Sequence, residues 1–242
     1  MSVLFEVWRR RQPEEVVGRY RDIRKNLEAL GGDGLIPSKV QRAADVGYGS
    51  GGGTIALADL FPKAIITAID DASSQQLRME YFRRDLPQWT SRIEVVEEDA
   101  RTAARKLEAH DLVLASRPNM VNPRQSREST TWEEDSLFIA ENFIALAIMA
   151  EPQSGTVLVG YHPHEDPGAL WEIAKRVDAG KIFNKLVRYG VENGDDWLIL
   201  SGVKQKVLDQ AKSDPSILLT VIGKKEPTHI ELRRIWRNAD DS

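Results

Sequence analysis

The sequence predicts an α/β domain built around a largely parallel sheet, closed near its carboxyl terminus by an antiparallel hairpin. Three features predict it. Short β-branched runs alternate with longer amphipathic stretches, the pattern of successive βαβ units. A glycine-dense loop, DVGYGSGGGT at 45–54, joins one of the short runs to the next apolar stretch. Two strand-like runs meet around Asn193 and Gly194, a turn pair suited to a hairpin. With 242 residues the chain fits one domain with a sizeable core.

The elements follow in order. Val16, Val17, Tyr20, Ile23, Leu27 and Leu30 recur at helical spacing, with Gly31 and Gly32 as a stop, so 16–32 is one amphipathic helix. A strand at 43–47 precedes the glycine loop, and a helix at 54–61 ends before Pro62. Alternation continues through a strand at 64–70, a helix at 73–86, a strand at 92–99, a short helix at 102–109 and a strand at 111–116. A long helix at 133–150, a strand at 155–162 and a helix at 166–180 follow, with Pro167 near the start of the last. The tail holds the hairpin at 185–204, then a helix or loop at 206–214, a strand at 216–223 and a helical stretch at 228–237.

Composition narrows the function classes. The chain has no cysteine, so it carries no disulfide, thiolate metal site or cysteine nucleophile, and it suits a reducing compartment such as the cytoplasm. Its longest apolar runs fall short of the roughly 18 residues of a membrane span. A formal net charge of −4 argues weakly against a protein devoted to nucleic acid.

The glycine loop reads as a bare turn, a dinucleotide site or a site for another adenosine ligand. Five glycines, Gly47, Gly49, Gly51, Gly52 and Gly53, exceed what a turn needs. Gly47, Gly49 and Gly52 satisfy the dinucleotide pattern G-x-G-x-x-G. Asp45 separates the readings: a carboxylate just before the loop favours a cationic ligand and repels a pyrophosphate. A nicotinamide-dependent oxidoreductase is disfavoured on this ground.

With Asp45, Gly47, Gly49 and Gly51 in D-V-G-Y-G-S-G, the chain resembles the first motif of class I S-adenosylmethionine-dependent methyltransferases, and the likeness extends over roughly residues 40 to 203. The resemblance implies a doubly wound, Rossmann-like, mostly parallel seven-stranded sheet with the antiparallel C-terminal hairpin. It implies S-adenosylmethionine as cofactor, with Asp45, Gly47, Gly49, Ser50 and Gly51 around the methionine moiety. Asp70, at the end of the second strand, is placed to hold the ribose hydroxyls, or else to cap the following helix, a duty better suited to Asp71. Asp99 and the Ala100 N–H are placed against the adenine, or else Asp99 belongs to a solvated acidic cluster with Glu97 and Glu98. Residues 1–34 are expected to form a helical lid, and 35–242 the cofactor-binding domain with its C-terminal extension.

Substrate is expected between the ends of the fourth and fifth strands, against Ser116 to Asn119 and Tyr161 to His164. The turn after the fourth strand reads S-R-P-N, where relatives that methylate amino groups often carry N-P-P-Y or D-P-P-Y. This difference argues against amino-group methylation of a base or a glutamine. Arg117 is read as a two-pronged ligand for a carboxylate or phosphate, or as an ordinary surface arginine. His162, in the cluster GYHPHEDP, is read as a general base or as a polar loop residue, and no metal site is expected. Arg9, Arg10, Arg11, Arg19, Arg21, Arg24 and Lys25 make the first segment basic, either as a solvated face or as an RNA contact. The combined expectation is a methyltransferase of small or medium-sized molecules, with an RNA methyltransferase or a non-catalytic S-adenosylmethionine-binding protein as alternatives.

Overall fold

Strand β1 (Arg42–Val46) is buried from Ala43 to Val46 and is flanked on both sides by parallel neighbours. The computed structural model describes residues 2–71, 87–116, 142–161, 182–190, 196–204, 206 and 231–232. On one side of β1 lie β2 (Ile65–Asp70) and then β3 (Ile93–Glu97); on the other lie β4 (Leu112–Ser116) and then β5 (Thr156–Tyr161). All four pairings are parallel. Beyond β5 the hairpin inserts its second strand first: β7 (Asp196–Val203) runs antiparallel to both β5 and β6 (Phe183–Gly190). The doubly wound, Rossmann-like sheet with an antiparallel C-terminal hairpin is therefore present. Strand order reverses between β1 and β4, which opens a crevice at their carboxyl ends.

A further two-residue strand, β8 (Glu231–Leu232), pairs parallel to β6 at Val187 and Arg188, so the described residues form an eight-stranded sheet where seven strands were expected. It falls inside 228–237, which the pattern assigned to a helix. The outer edge of β6 presents unpaired backbone groups that a passing segment satisfies by adding a strand, and this long-range demand overrides local periodicity.

Both faces of the sheet are covered. Helices α2 (Glu14–Gly32) and α3 (Gly52–Leu60) lie on one face, where Tyr20, Ile23, Leu27 and Ile55 share a core with Ala43, Ile66 and Leu158. The helical stretch 142–149 lies on the other face and brings Phe143, Leu146 and Met149 against Val113, Val157 and Leu186. Burial on both faces is why these strands read as nearly continuous apolar runs. The segment 1–34 contributes to the first of these cores through Leu4, Phe5, Trp8 and the apolar side of α2.

Several boundaries differ from the sequence reading. Helix α2 starts at Glu14, directly after Pro13, and α3 starts at Gly52, inside the glycine cluster. The helix expected at 102–109 is a single turn, α4 (Ala100–Ala103), capped by Asp99. A seven-residue helix, α1 (Val3–Arg9), was not anticipated; Ser2 caps it. The helices expected at 73–86 and 166–180, the strand at 216–223, and all of 206–214 except Lys206 lie outside the described residues. Among the described residues no helix is long and apolar enough to cross a membrane.

Candidate functional site

The crevice at the carboxyl end of β1 is floored by the glycine loop. Gly47, Gly49 and Gly51 adopt φ of 73°, 50° and 87°, a left-handed backbone that side chains with a Cβ disfavour. Four amides pin the loop: Gly47 N and Tyr48 N donate to the Ile69 carbonyl at 2.8 and 3.4 Å, Gly49 N to Asp70 Oδ2 at 2.8 Å, and Gly51 N to the Tyr48 carbonyl at 2.7 Å. Among the described residues, chain neighbours aside, no atom lies within 4 Å of where a side chain on Gly47 or Gly49 would begin, so the backbone here faces open space. The position of Gly53 is different. A Cβ there would come within 2.7 Å of Asp45 Oδ1, so glycine is what lets α3 start directly over that carboxylate.

Asp45 itself is 2% exposed and accepts a hydrogen bond from Thr54 Oγ1 at 2.7 Å. Burial pushes its carboxyl up to about 7; the hydrogen bonds from Thr54 oppose this, and the nearby charge of Asp70 adds to it. The carboxyl group is thus engaged beneath the first turn of α3.

Asp70 closes β2 in register with Glu97, is partly exposed, and already uses one oxygen to hold Gly49 N. The loop and this carboxylate form one unit. Asp99 follows β3 and caps α4, accepting from Arg101 N at 2.9 Å and from the Arg101 guanidinium at 2.9 and 3.0 Å. The Arg101 guanidinium holds the Asp99 carboxyl below the usual carboxylate range. Beside it, Glu98 pairs with Lys106 at 2.7 Å, so the acidic cluster after β3 is largely neutralised by its own chain. Ala100 opens α4 and is partly buried. Ser116 closes β4 in register with Gly160 on β5; its Oγ is buried and has no hydrogen-bond partner among the described residues. Arg117 and His162 lie outside the described residues; Ser116 and Tyr161, which they follow, close adjacent strands.

One residue of this region escaped the sequence reading. Trp8 of α1 is 2% exposed and donates from its indole Nε1 to the Ser50 carbonyl at 3.1 Å. Its available signal was the apolar set Leu4, Phe5 and Trp8 behind the capping Ser2, too short a run to register as a helix. In the basic first segment, Arg9 pairs with Glu6, Arg21 with Glu14, and Arg24 with both Glu28 and Asp59. Among the described residues no group of three or more acidic or histidine side chains is placed to hold a metal ion.

No family model matches the sequence, and no curated protein does. Solved structures resemble it in fold. An O-methyltransferase family protein from Burkholderia thailandensis is 14% identical, matched over 69% of this chain and 52% of its own, with a TM-score of 0.48. Precorrin-6y C5,15-methyltransferase from Geobacter metallireducens is 13% identical, matched over 72% of this chain and 85% of its own, with a TM-score of 0.46. TrmN from Thermus thermophilus is 18% identical, matched over 69% of this chain and 45% of its own, with a TM-score of 0.44. The chain spans about half the length of the first and third of these.

Proposed function

We propose that this chain is an S-adenosylmethionine-dependent methyltransferase acting on a small or medium-sized molecule, with a cytoplasmic location in keeping with its cysteine-free composition. The observation that carries the reading is one sheet edge: a left-handed glycine loop closing β1, bonded through Gly49 N to the carboxylate that closes β2. The residues fit the cofactor. Open space over Gly47 and Gly49 admits a ligand against the backbone, and Asp70 offers carboxylate oxygens to the paired hydroxyls of a ribose. Asp45 supports the loop from below. Asp99 is the weaker member, since Arg101 already occupies its carboxylate, so the adenine end rests more on the Ala100 N–H.

When bound, S-adenosylmethionine supplies a methyl group on a positively charged sulfur. The protein's own task is placement, because methyl transfer depends chiefly on an in-line approach. Gly47 to Gly51 and Asp70 orient the nucleoside and its amino-acid tail; Ser116, with its unpartnered Oγ, lies next along the edge. His162 is assigned the removal of a proton from an acceptor that arrives protonated, and Arg117 the binding of an anionic group on that acceptor. The small-molecule reading draws on the ion pairs of Arg9, Arg21 and Arg24, whose charges are answered within the chain and are less free for phosphates.

A thermal scan tests the assignment. S-adenosylhomocysteine at about a hundred times its Kd is expected to add roughly 2.7 kcal/mol to stability, with no shift from NAD or NADP. A shift from a nicotinamide nucleotide alone overturns the reading. Filter binding with tRNA at roughly 0.15 M salt tests the substrate class: tight binding that is lost when Arg9, Arg10 and Arg11 become alanine favours RNA instead.

A further inference from the structure

Helix α1 is anchored at both ends to the elements that frame the crevice. At its start, Ser2 Oγ accepts from Phe5 N at 3.1 Å and donates to Asp59 of α3. Asp59 also accepts from the Tyr20 hydroxyl at 2.6 Å and from Arg24 at 3.2 Å, which ties α1, α2 and α3 at one carboxylate. At its far end Trp8 packs beside Tyr20, ring centres 5.6 Å apart, while Phe5 stacks on Tyr20 at 4.3 Å. The Tyr20 backbone in turn lies against Gly52, at 3.7 Å from where a side chain there would begin. This aromatic wedge leaves the Trp8 indole one polar duty, the bond to the Ser50 carbonyl.

That bond falls on a peptide that enters the left-handed Gly51. The Ser50–Gly51 peptide rotates through ψ of Ser50 and φ of Gly51, and the glycine on its carboxyl side widens the orientations open to it. Its two polar groups are held from opposite sides, Gly51 N by the Tyr48 carbonyl and Ser50 O by Trp8. Removing the indole donor leaves this planar peptide held from one side only, by Gly51 N on the Tyr48 carbonyl.

We propose that Trp8 is a positioning residue for the glycine loop, fixing the Ser50–Gly51 peptide in the orientation that receives the amino-acid end of the bound nucleoside ligand. This rests on the methyltransferase reading for the identity of the ligand, whereas the control of the loop by α1 stands on geometry alone. It makes α1 part of the support of the ligand site.

Trp8→Phe keeps an aromatic ring and loses the donor; benzothienylalanine at position 8 keeps the full ring shape and guards against a packing defect. Either is expected to weaken S-adenosylhomocysteine about threefold to tenfold, the range of one neutral hydrogen bond, and to leave adenosine, which lacks the amino-acid tail, within about twofold. Amide exchange at Gly51 in the ligand-free protein is expected to quicken, with the melting temperature within a few degrees of the unaltered chain. Equal losses for both ligands together with a lower melting temperature mean a merely structural role and overturn the proposal. Unchanged affinity and unchanged Gly51 exchange overturn it too. If the unaltered chain binds neither ligand, the methyltransferase reading fails, and Gly51 exchange alone then decides whether Trp8 holds the loop.

Discussion

Asp45 and His110 are both buried titratable residues on adjacent parts of the sheet, yet they sit at opposite ends of its parallel strands. His110 precedes β4 at the amino end and is fully buried, with Nδ1 at 3.3 Å from the Met149 carbonyl and Nε2 at 3.1 Å from Thr67 Oγ1. A carbonyl only accepts, so Nδ1 carries the proton and Nε2 accepts from the threonine hydroxyl. Burial lowers the His110 pKa, with the Arg42 charge adding, against the opposing pull of the Met149 bond and of Asp111 and Glu108. Both ring nitrogens of the neutral form are satisfied. Asp45, at the carboxyl end under the glycine loop, takes its hydrogen bonds among the described residues from Thr54, and burial pushes its carboxyl up to about 7. Nearby, Ser116 Oγ is buried without a partner among the described residues. The amino end spends its buried polar group on stability, and the carboxyl end keeps one that burial disfavours in its charged form, at the end where the ligand is proposed to bind.

The comparison breaks most decisively at the loop. Gly49→Val places a β-branched residue at φ 50° in the open space over the backbone, and S-adenosylhomocysteine binding is expected to fall below detection by calorimetry. Retained affinity would show the loop to be only a turn.

At the other end, His110→Ala leaves a cavity and an unpaired Thr67 hydroxyl. Chemical denaturation is expected to register a loss of about 2–4 kcal/mol, while ligand affinity, measured where the variant is folded, stays unchanged. A change in affinity would mean that the two ends are coupled. Next in size, Asp70→Ala is expected to weaken the cofactor by about 1.5–3 kcal/mol with little loss of fold, and Asp71→Ala to do neither.

The two buried groups also titrate in opposite senses. The Asp45 carboxyl, raised in the folded state, makes stability fall as pH rises from the ordinary carboxylate value to about 7, by at most about 1.4 kcal/mol per pH unit. His110, lowered in the folded state, contributes stability that is complete above its ordinary value near 6.5 and is lost as pH falls below it. Asp45→Asn is therefore expected to raise stability at pH 8 by about 1–2 kcal/mol, or roughly 3–6 °C, less than the full shift because the new amide needs its own partners. It leaves stability at pH 4 unaltered, and equal gains at both values would assign the effect to packing. The smallest effect belongs to Asp99→Ala, which removes the cap of α4 and costs about 1 kcal/mol of stability. Its effect on cofactor affinity is expected to stay below that of Asp70→Ala, because Arg101 already holds this carboxylate.

The alternation of strands and helices, the loop at 47–51 and the carboxylate ending β2 were legible because each is written in adjacent residues: glycine where φ is positive, β-branched runs where both faces are covered. The fate of individual carboxylates was less so. Asp45 read as a residue facing a cation, and the structure places it beneath α3, because its neighbours Gly53 and Thr54 return over it only once the helix has formed. Asp99 read either as a partner of adenine or as part of a solvated acidic cluster, and the structure shows Arg101, two residues on, bonded to it through the cap geometry.

By itself, then, the sequence determined the order of strands β1 to β7, the position of the glycine loop and the hairpin near the carboxyl terminus, all of which follow from spacing within about twenty residues. Only the tertiary structure decided the insertion of β7 between β5 and β6, the pairing of β8 with β6, and the contact of Trp8 with Ser50 across 42 positions. Those features depend on which backbone edges and buried donors remain unsatisfied after the local elements have formed. Such a remainder is a property of the packed chain, and no local pattern encodes it.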